Sequence, residues 1–426
     1  MSRLLLFSQH SSNRLRYVMD YLFGKEGDWS ISANLDDLEG SSGPTLVYGA
    51  HPGIHRAICL PDSGYLWQRK IGELPPSAHV SFPLKLGEKD LLAFLFFTLS
   101  RAEEYGATDR DAWGRFKVEH SLAYRKGLLD FPVADQIRLL LWQEIRRRWP
   151  AFSPPDPVFR RQITYDTDVA WAYRYRSLPR QGYGVLRDFL RGDLASLSLR
   201  AEVLRGRRED PYFTFPKILD FHRRRGDAPT FFWLMGNRGK VDRAVGLRSK
   251  EFRHLVRTIA ESYTIGLHPT MQSRKNFSCL QEEYARLADL AGMPIHHSRQ
   301  HYLVIDMPDT YRHLLALGIR NDYSMGYASR PGFRAGTCFP FPWYDCEKDL
   351  CTDLIIHPFQ AMDATFWVYG RYAPAEVLGL LGQLETRCQE VGGTFTFIAH
   401  NSSFSGPGTW IAWENIFDSF VGNAAT

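Results

Sequence analysis

No apolar run in this chain approaches the roughly 18 residues that a membrane-spanning helix needs, so no transmembrane segment is expected. The six cysteines (Cys59, Cys279, Cys338, Cys346, Cys351 and Cys388) form no CxxC pair. That spacing predicts neither a zinc knuckle nor a disulfide framework. Neither sign of charge dominates: 52 Lys and Arg against 47 Asp and Glu leave +5, which argues neither for nor against an acidic partner. The arginine-rich runs at 146–148, 205–208 and 223–225 read as solvated helix faces or loop exits, and no nucleic acid is expected as a partner. Internal repeats and low-complexity tracts are missing. The start offers only Leu4-Leu5-Leu6-Phe7 before polar sequence, which suits a first strand and falls short of a signal-peptide core. A cytoplasmic protein is the default expectation.

What the chain does have is length and aromatic side chains. At 426 residues it has room for two or three domains, and 44% hydrophobic with 14% aromatic residues indicates a globular protein. The 11 Trp and 20 Tyr suit sugar faces, but most such rings fill cores. A Pro-rich stretch at 151–157 follows a basic helix expected at 134–149 and divides residues 1–150 from 158–426. In the first part, strands are expected at 4–7, 45–48 and 57–60, with a buried helix at 91–101. Beyond the divide, strand-like stretches (163–168, 229–234, 263–268, one reaching His301, 319–327, 394–400) alternate with helices (249–262, 278–291, 310–317, 374–391). An aromatic, Gly/Pro-rich stretch occupies 328–344. Repeated βα units imply a parallel sheet or barrel.

Chemistry belongs at the carboxyl ends of such strands. In Tyr165-Asp166-Thr167-Asp168, strand geometry throws both carboxylates to one side, where a metal or an Arg would relieve their repulsion. Helix capping or turn chemistry explains the same residues more plainly. His268 ends an apolar strand, His301 stands beside Arg299, and His400 ends the last strand before a polar loop. Each alone reads as well as a satisfied core or surface histidine. Arg334, between glycines in the segment 332–337, reads equally as a substrate-loop residue or part of a packing turn. Asp363 reads first as a helix N-cap, with a carboxylate supporting the site as the alternative. Asp210 and Asp242 are expected to shape loops, and Glu103-Glu104 to lie on a solvated surface.

Together these segments resemble the NodB-type polysaccharide deacetylases, carbohydrate esterases that remove N-acetyl groups from sugars. TYDTD is loosely similar to that family's TFDDG, and Thr230-Phe231-Phe232-Trp233-Leu234-Met235-Gly236 is close to its TFFxxG. Ile265-Gly266-Leu267-His268 matches the start of its His motif. Arg299-Gln300-His301-Tyr302 stands for RxPY, and Ile398-Ala399-His400 for Leu-x-His. The resemblance spans about 160–401. Segments such as GLHPTMQS, NDYSMGYA and GFRAGT look like a divergent bacterial subgroup with an uncharacterised N-terminal domain.

The resemblance implies a distorted (β/α) barrel, preceded by a smaller α/β domain, with one divalent metal, usually zinc. Asp166 inherits the role of base, Arg299 positions it, His400 is the acid, and Asp322 tunes that acid. Asp168, by a one-residue insertion, and His268 inherit ligand roles. The family's second ligand His lies four residues after the first, where this chain has Gln272. The family proline of RxPY is His301 here, so Asp168, His268 and His301 form the expected metal set. Tyr302, Ser273 and Arg334 are the candidate substrate contacts. The implied activity is hydrolytic deacetylation of an N-acetylated sugar or glycan precursor in bacterial polysaccharide metabolism. A catalytically silent carbohydrate-binding relative and a hydrolase of another amide or ester are the alternatives.

Overall fold

The computed structural model describes residues 3–24, 29–49, 56–152, 156–236, 242, 244, 246–405 and 415–416. Residues 153–155 of the Pro-rich stretch lie outside them. Near the N-terminus, β1 (Leu4–Phe7), β2 (Trp29–Ser32), β3 (Thr45–Tyr48) and β4 (Ile58–Leu60) pair in parallel in the order β2-β1-β3-β4. The helix Leu91–Ser100 has all ten residues buried, as a helix that is apolar all round must. Asp90 caps it, accepting from the amide of Ala93 at 2.9 Å. This helix packs against β10 of a second sheet, and a single hydrophobic cluster runs through both sheets.

The second sheet holds β5 (Arg160–Thr167), β6 (Thr230–Leu234), β7 (Thr264–His268), β8 (His297–Ser298), β9 (Asn321–Asp322), β10 (Phe341–Asp345), β11 (Leu350–Ile356), β12 (Ala361–Met362) and β13 (Thr394–His400). Its order is β10-β11-β9-β8-β7-β6-β5-β13-β12. All pairs are parallel except the β10–β11 hairpin. The first and last long strands, β5 and β13, are neighbours, and the sheet ends at β10 on one side and β12 on the other. The fold is therefore mixed α/β with two mainly parallel sheets, and β10 and β12 are the edge strands of the second among the described residues.

Local sequence explains the close packing at the centre. A Cβ on Gly266 would lie 2.6 Å from the Phe232 ring and 2.9 Å from the carbonyl of His297. Only glycine lets β7 pass that near to its neighbours. The expected strand at 319–327 shrinks to two residues because Asp322 turns the chain, accepting from the amide of Ser324 at 2.9 Å. The strand expected to reach His301 ends at Ser298, and residues 301–303 form a tight turn with Tyr302 and Leu303 at φ 58 and 57. Part of the aromatic stretch proves to be the β10 strand.

Candidate metal and acid–base site

Every candidate on the second sheet emerges at the carboxyl end of a parallel strand. The register sets His400 beside Asp166 and Leu234 beside His268. Asp168 follows β5, Arg299 and His301 follow β8, and Asp363 follows β12.

The expected metal set comes together. Asp168, His268 and His301 each offer one ligand atom, and all three atoms lie within 4.8 Å of one another. Asp168 Oδ1 is 3.2 Å from His268 Nε2 and 3.7 Å from His301 Nε2. Ligands about 2.0–2.2 Å from a tetrahedral ion lie roughly 3.3–3.6 Å apart, so the spacing suits one. Two further observations test the fit. Asp168 Oδ1 is buried with no well-formed hydrogen bond. Both rings are engaged through Nδ1, His268 with the carbonyl of Arg299 at 2.6 Å and His301 with Asp242 Oδ1 at 2.8 Å. Those bonds put a proton on each Nδ1 and leave both Nε2 atoms facing Asp168, the arrangement of metal-binding histidines with their supporting acceptors. The residues fit a divalent ion.

The electrostatics agree. Burial works to raise the Asp168 carboxyl, but His301, His268 and His400 hold it well below the usual carboxylate range. Burial works to lower His301, while Asp168 and Asp242 outweigh it and push the ring up to about 9. Such a pocket stabilises positive charge, and a cation there competes with the His301 proton.

Asp166 is buried and salt-bridged to Arg299, whose Nη1 donates to its Oδ1 at 2.8 Å. Arg299, fully buried, also donates Nη2 to Thr164 Oγ1 at 2.8 Å and Nε to the carbonyl of Tyr323 at 3.0 Å. Its guanidinium lies over the Phe232 ring, 4.3 Å from the centroid. Three directional bonds and a ring face fix the arginine, which in turn fixes Asp166.

His400 is paired with Asp363. Its Nδ1 lies 2.7 Å from Asp363 Oδ1, and its amide donates to Oδ2 at 2.6 Å. Ser403 Oγ also donates to Oδ2. Burial works against the imidazolium, but Asp363, then Asp168 and Asp166, push His400 up to about 10.

Several expectations need correction. Asp322 does not tune His400: it accepts from Ser298 Oγ at 2.8 Å and from Ser324 Oγ at 3.0 Å, joining β8 to the turn after β9. Burial outweighs those bonds and the Arg299 charge, raising it to about 6. Ser273 is fully buried and donates to the carbonyl of Thr270, so it faces no substrate. Arg334 lines a cavity of about 240 Å³ with Arg115, Phe116, Leu303, Tyr327 and Ala328. Its guanidinium is nevertheless committed, with Nε on Glu104 Oε1 at 2.9 Å, Nη2 on Oε2 at 2.5 Å and Nη1 on the carbonyl of Gly326 at 2.9 Å. Glu104 is accordingly buried, not solvated. The Tyr302 ring stacks on Trp113 at 4.3 Å and 13° and lies 4.2 Å from the His301 ring, and its carbonyl accepts from Arg115 Nη1 at 3.4 Å. Gln272 is exposed and no part of the ligand set.

Two carboxylates act beyond their first sequence readings. Asp363 does bond the amide of Ala364, as an N-cap would, but its larger role is to hold His400. Asp242 carried no periodic or motif signal, and only folding brings it to His301.

Residues 4–150 match a family described as "Family of unknown function (DUF7033)". No curated protein matches the chain. Among solved structures, it is similar to a polysaccharide deacetylase, described as putative, from Mycobacterium smegmatis (14% identity, TM-score 0.42, covering 64% of this chain and 85% of that one). It is similar also to a probable polysaccharide deacetylase from Pseudomonas aeruginosa PAO1 (13%, 0.41, 65% and 86%). A third is a CE4 family pseudoenzyme from Bacillus anthracis (11%, 0.31, 64% and 63%). The functional reading rests on the side chains just described.

Proposed function

We propose that residues 158–426 form a NodB-type barrel with a seam between β10 and β12, following a smaller α/β domain at 1–150. On this reading the chain hydrolyses the acetamide of an N-acetylated sugar or glycan precursor handled in the cytoplasm. The observation that carries the reading is the meeting, at one strand edge, of an Asp/His/His cluster, an arginine-held carboxylate and a carboxylate-held histidine.

Asp168, His268 and His301 would hold the ion, most simply zinc given its carboxylate and imidazole donors, and it would supply Lewis acidity at an open coordination position. Asp166 accepts the proton of the attacking water, its orientation kept by Arg299. His400, protonated at neutral pH, delivers a proton to the departing amine, since an amide nitrogen leaves poorly without one. Asp363 keeps that proton on the ring and points it. Tyr302 and Trp113 offer aromatic surface suited to a sugar face. The assay is acetate release from N-acetylated sugars by the metal-loaded full chain. Asp166→Asn and His400→Ala are each expected to lower kcat by about 10²–10⁴-fold. A parental rate in either variant would remove that residue from the chemistry.

The His400–Asp363 pair makes a prediction about pH. The His400 pKa is raised from 6.5 to about 10, so the pair stabilises the fold fully below 6.5, and that contribution is lost as pH rises through 10. Asp363→Asn removes the largest favourable contribution. The basic limb of kcat/KM should then move to lower pH, and the variant's stability deficit should shrink between pH 6.5 and 10. An unmoved basic limb would show that another group supplies the proton.

A further inference from the structure

We propose that the helices Leu178–Leu190 and Leu194–Leu204, inserted between β5 and β6, dock this protein on the surface of an anionic phospholipid bilayer. This proposal is independent of the metal site. The first helix is turned inside out. Its protein-facing side carries Gly184 and Asp188, and Asp188 is bound at 2.6 Å by the buried Arg200 of the second helix. Its outer side carries the large apolar residues: Leu178, Tyr183, Leu186, Phe189 and Leu190, joined by Leu194, are 55–86% exposed. A surface helix normally buries its apolar face, and a contiguous exposed one marks an interaction surface.

The charges around this patch select the partner. Between residues 178 and 208 the sequence has seven arginines and three acidic residues. Arg180, Arg191, Arg205 and Arg207 are exposed and carry no ion pair among the described residues. An apolar face bordered by arginine suits an interface in which side chains enter the acyl boundary while guanidinium groups meet anionic headgroups. A second copy of the chain, packed isologously, would bring the same arginines face to face, which is unfavourable. The pair also stands on a rigid base. Asp210 accepts from the amides of Ala172, Tyr173 and Arg174 at 2.6, 2.8 and 3.0 Å, and Asn401 Nδ2 donates to the carbonyls of Val169 and Tyr212 at 3.0 and 2.8 Å. Docking therefore requires no rearrangement at the root of the insertion.

The test is co-sedimentation of the full chain with vesicles of phosphatidylcholine alone or mixed with phosphatidylglycerol. Binding is expected only to the anionic vesicles and should weaken as salt rises. Leu186→Glu/Phe189→Glu, Leu178→Ser/Leu190→Ser and Arg180→Glu/Arg191→Glu should each reduce lipid partitioning by about tenfold or more. These side chains are exposed, so the variants should keep the parent's melting temperature. Failure to bind anionic vesicles, or undiminished binding by the variants, overturns the proposal. A parent dimer that Leu186→Glu/Phe189→Glu dissociates, without lipid binding, overturns it in favour of a second copy.

Discussion

Replacing His301 by Ala is expected to lower zinc affinity by roughly two orders of magnitude or more. Zinc sites with four ligands gain about 10–16 kcal/mol on binding, so each ligand is worth roughly 3 kcal/mol. His301 is the distinctive member of this set, because the position four residues after His268 is Gln272, which is exposed. Its Nε2 faces Asp168 Oδ1 at 3.7 Å while Asp242 holds Nδ1 at 2.8 Å. Asp242→Asn should therefore weaken binding by about 10–100-fold, less than losing the ligand itself. Competition against a chromophoric chelator measures both. If His301→Ala binds as the parent does, the ion is held elsewhere or only by Asp168 and His268.

Replacing Glu104 by Gln is expected to cost about 3–5 kcal/mol of stability, because it leaves the buried Arg334 without its anion and the buried Arg101 with Glu103 alone. Glu104 receives Arg101 Nε at 2.8 Å and Arg334 at both carboxylate oxygens, and all three residues are buried. Burial works to raise its pKa, but Arg334 and Arg101 bring it from 4.5 to about 2. A depressed carboxylate pKa stabilises above the unfolded value and loses that contribution as pH falls through the folded one. The parent should thus lose this contribution, about 3 kcal/mol, between pH 4.5 and 2. Glu104→Gln should lose about 3 kcal/mol less than the parent over that window, as read by denaturant unfolding. The cluster links residues 4–150 to the loop before β10.

The sequence made the strand-borne parts of this site readable and hid the rest. Asp166, His268 and His400 lie at the ends of long apolar strands, where period and composition announce both the strand and its exit. Arg299 and His301 were visible as residues beside an expected strand, but the turn that aims His301 depends on Tyr302 and Leu303 adopting positive φ. No local propensity predicts that conformation for Tyr or Leu, and contacts with Trp113 and Arg115 support it. The resemblance points to Asp322 as the partner of His400, whereas the β12–β13 pairing brings Asp363 to it. Glu104 and Arg334 stand 230 residues apart, and each alone looked available to solvent or substrate. The helices between β5 and β6 carry an apolar stripe, but periodicity does not tell an outward-facing stripe from a buried one.

The most direct measurement is acetate release from an N-acetylated sugar as zinc is returned to the chelator-stripped full chain. The account predicts that release rises with added zinc, saturates near one equivalent per chain, and is abolished by Asp166→Asn in a chain that still binds the ion. Saturable zinc binding without acetate release from any N-acetyl sugar would contradict it and leave a metal-bearing, catalytically silent carbohydrate binder.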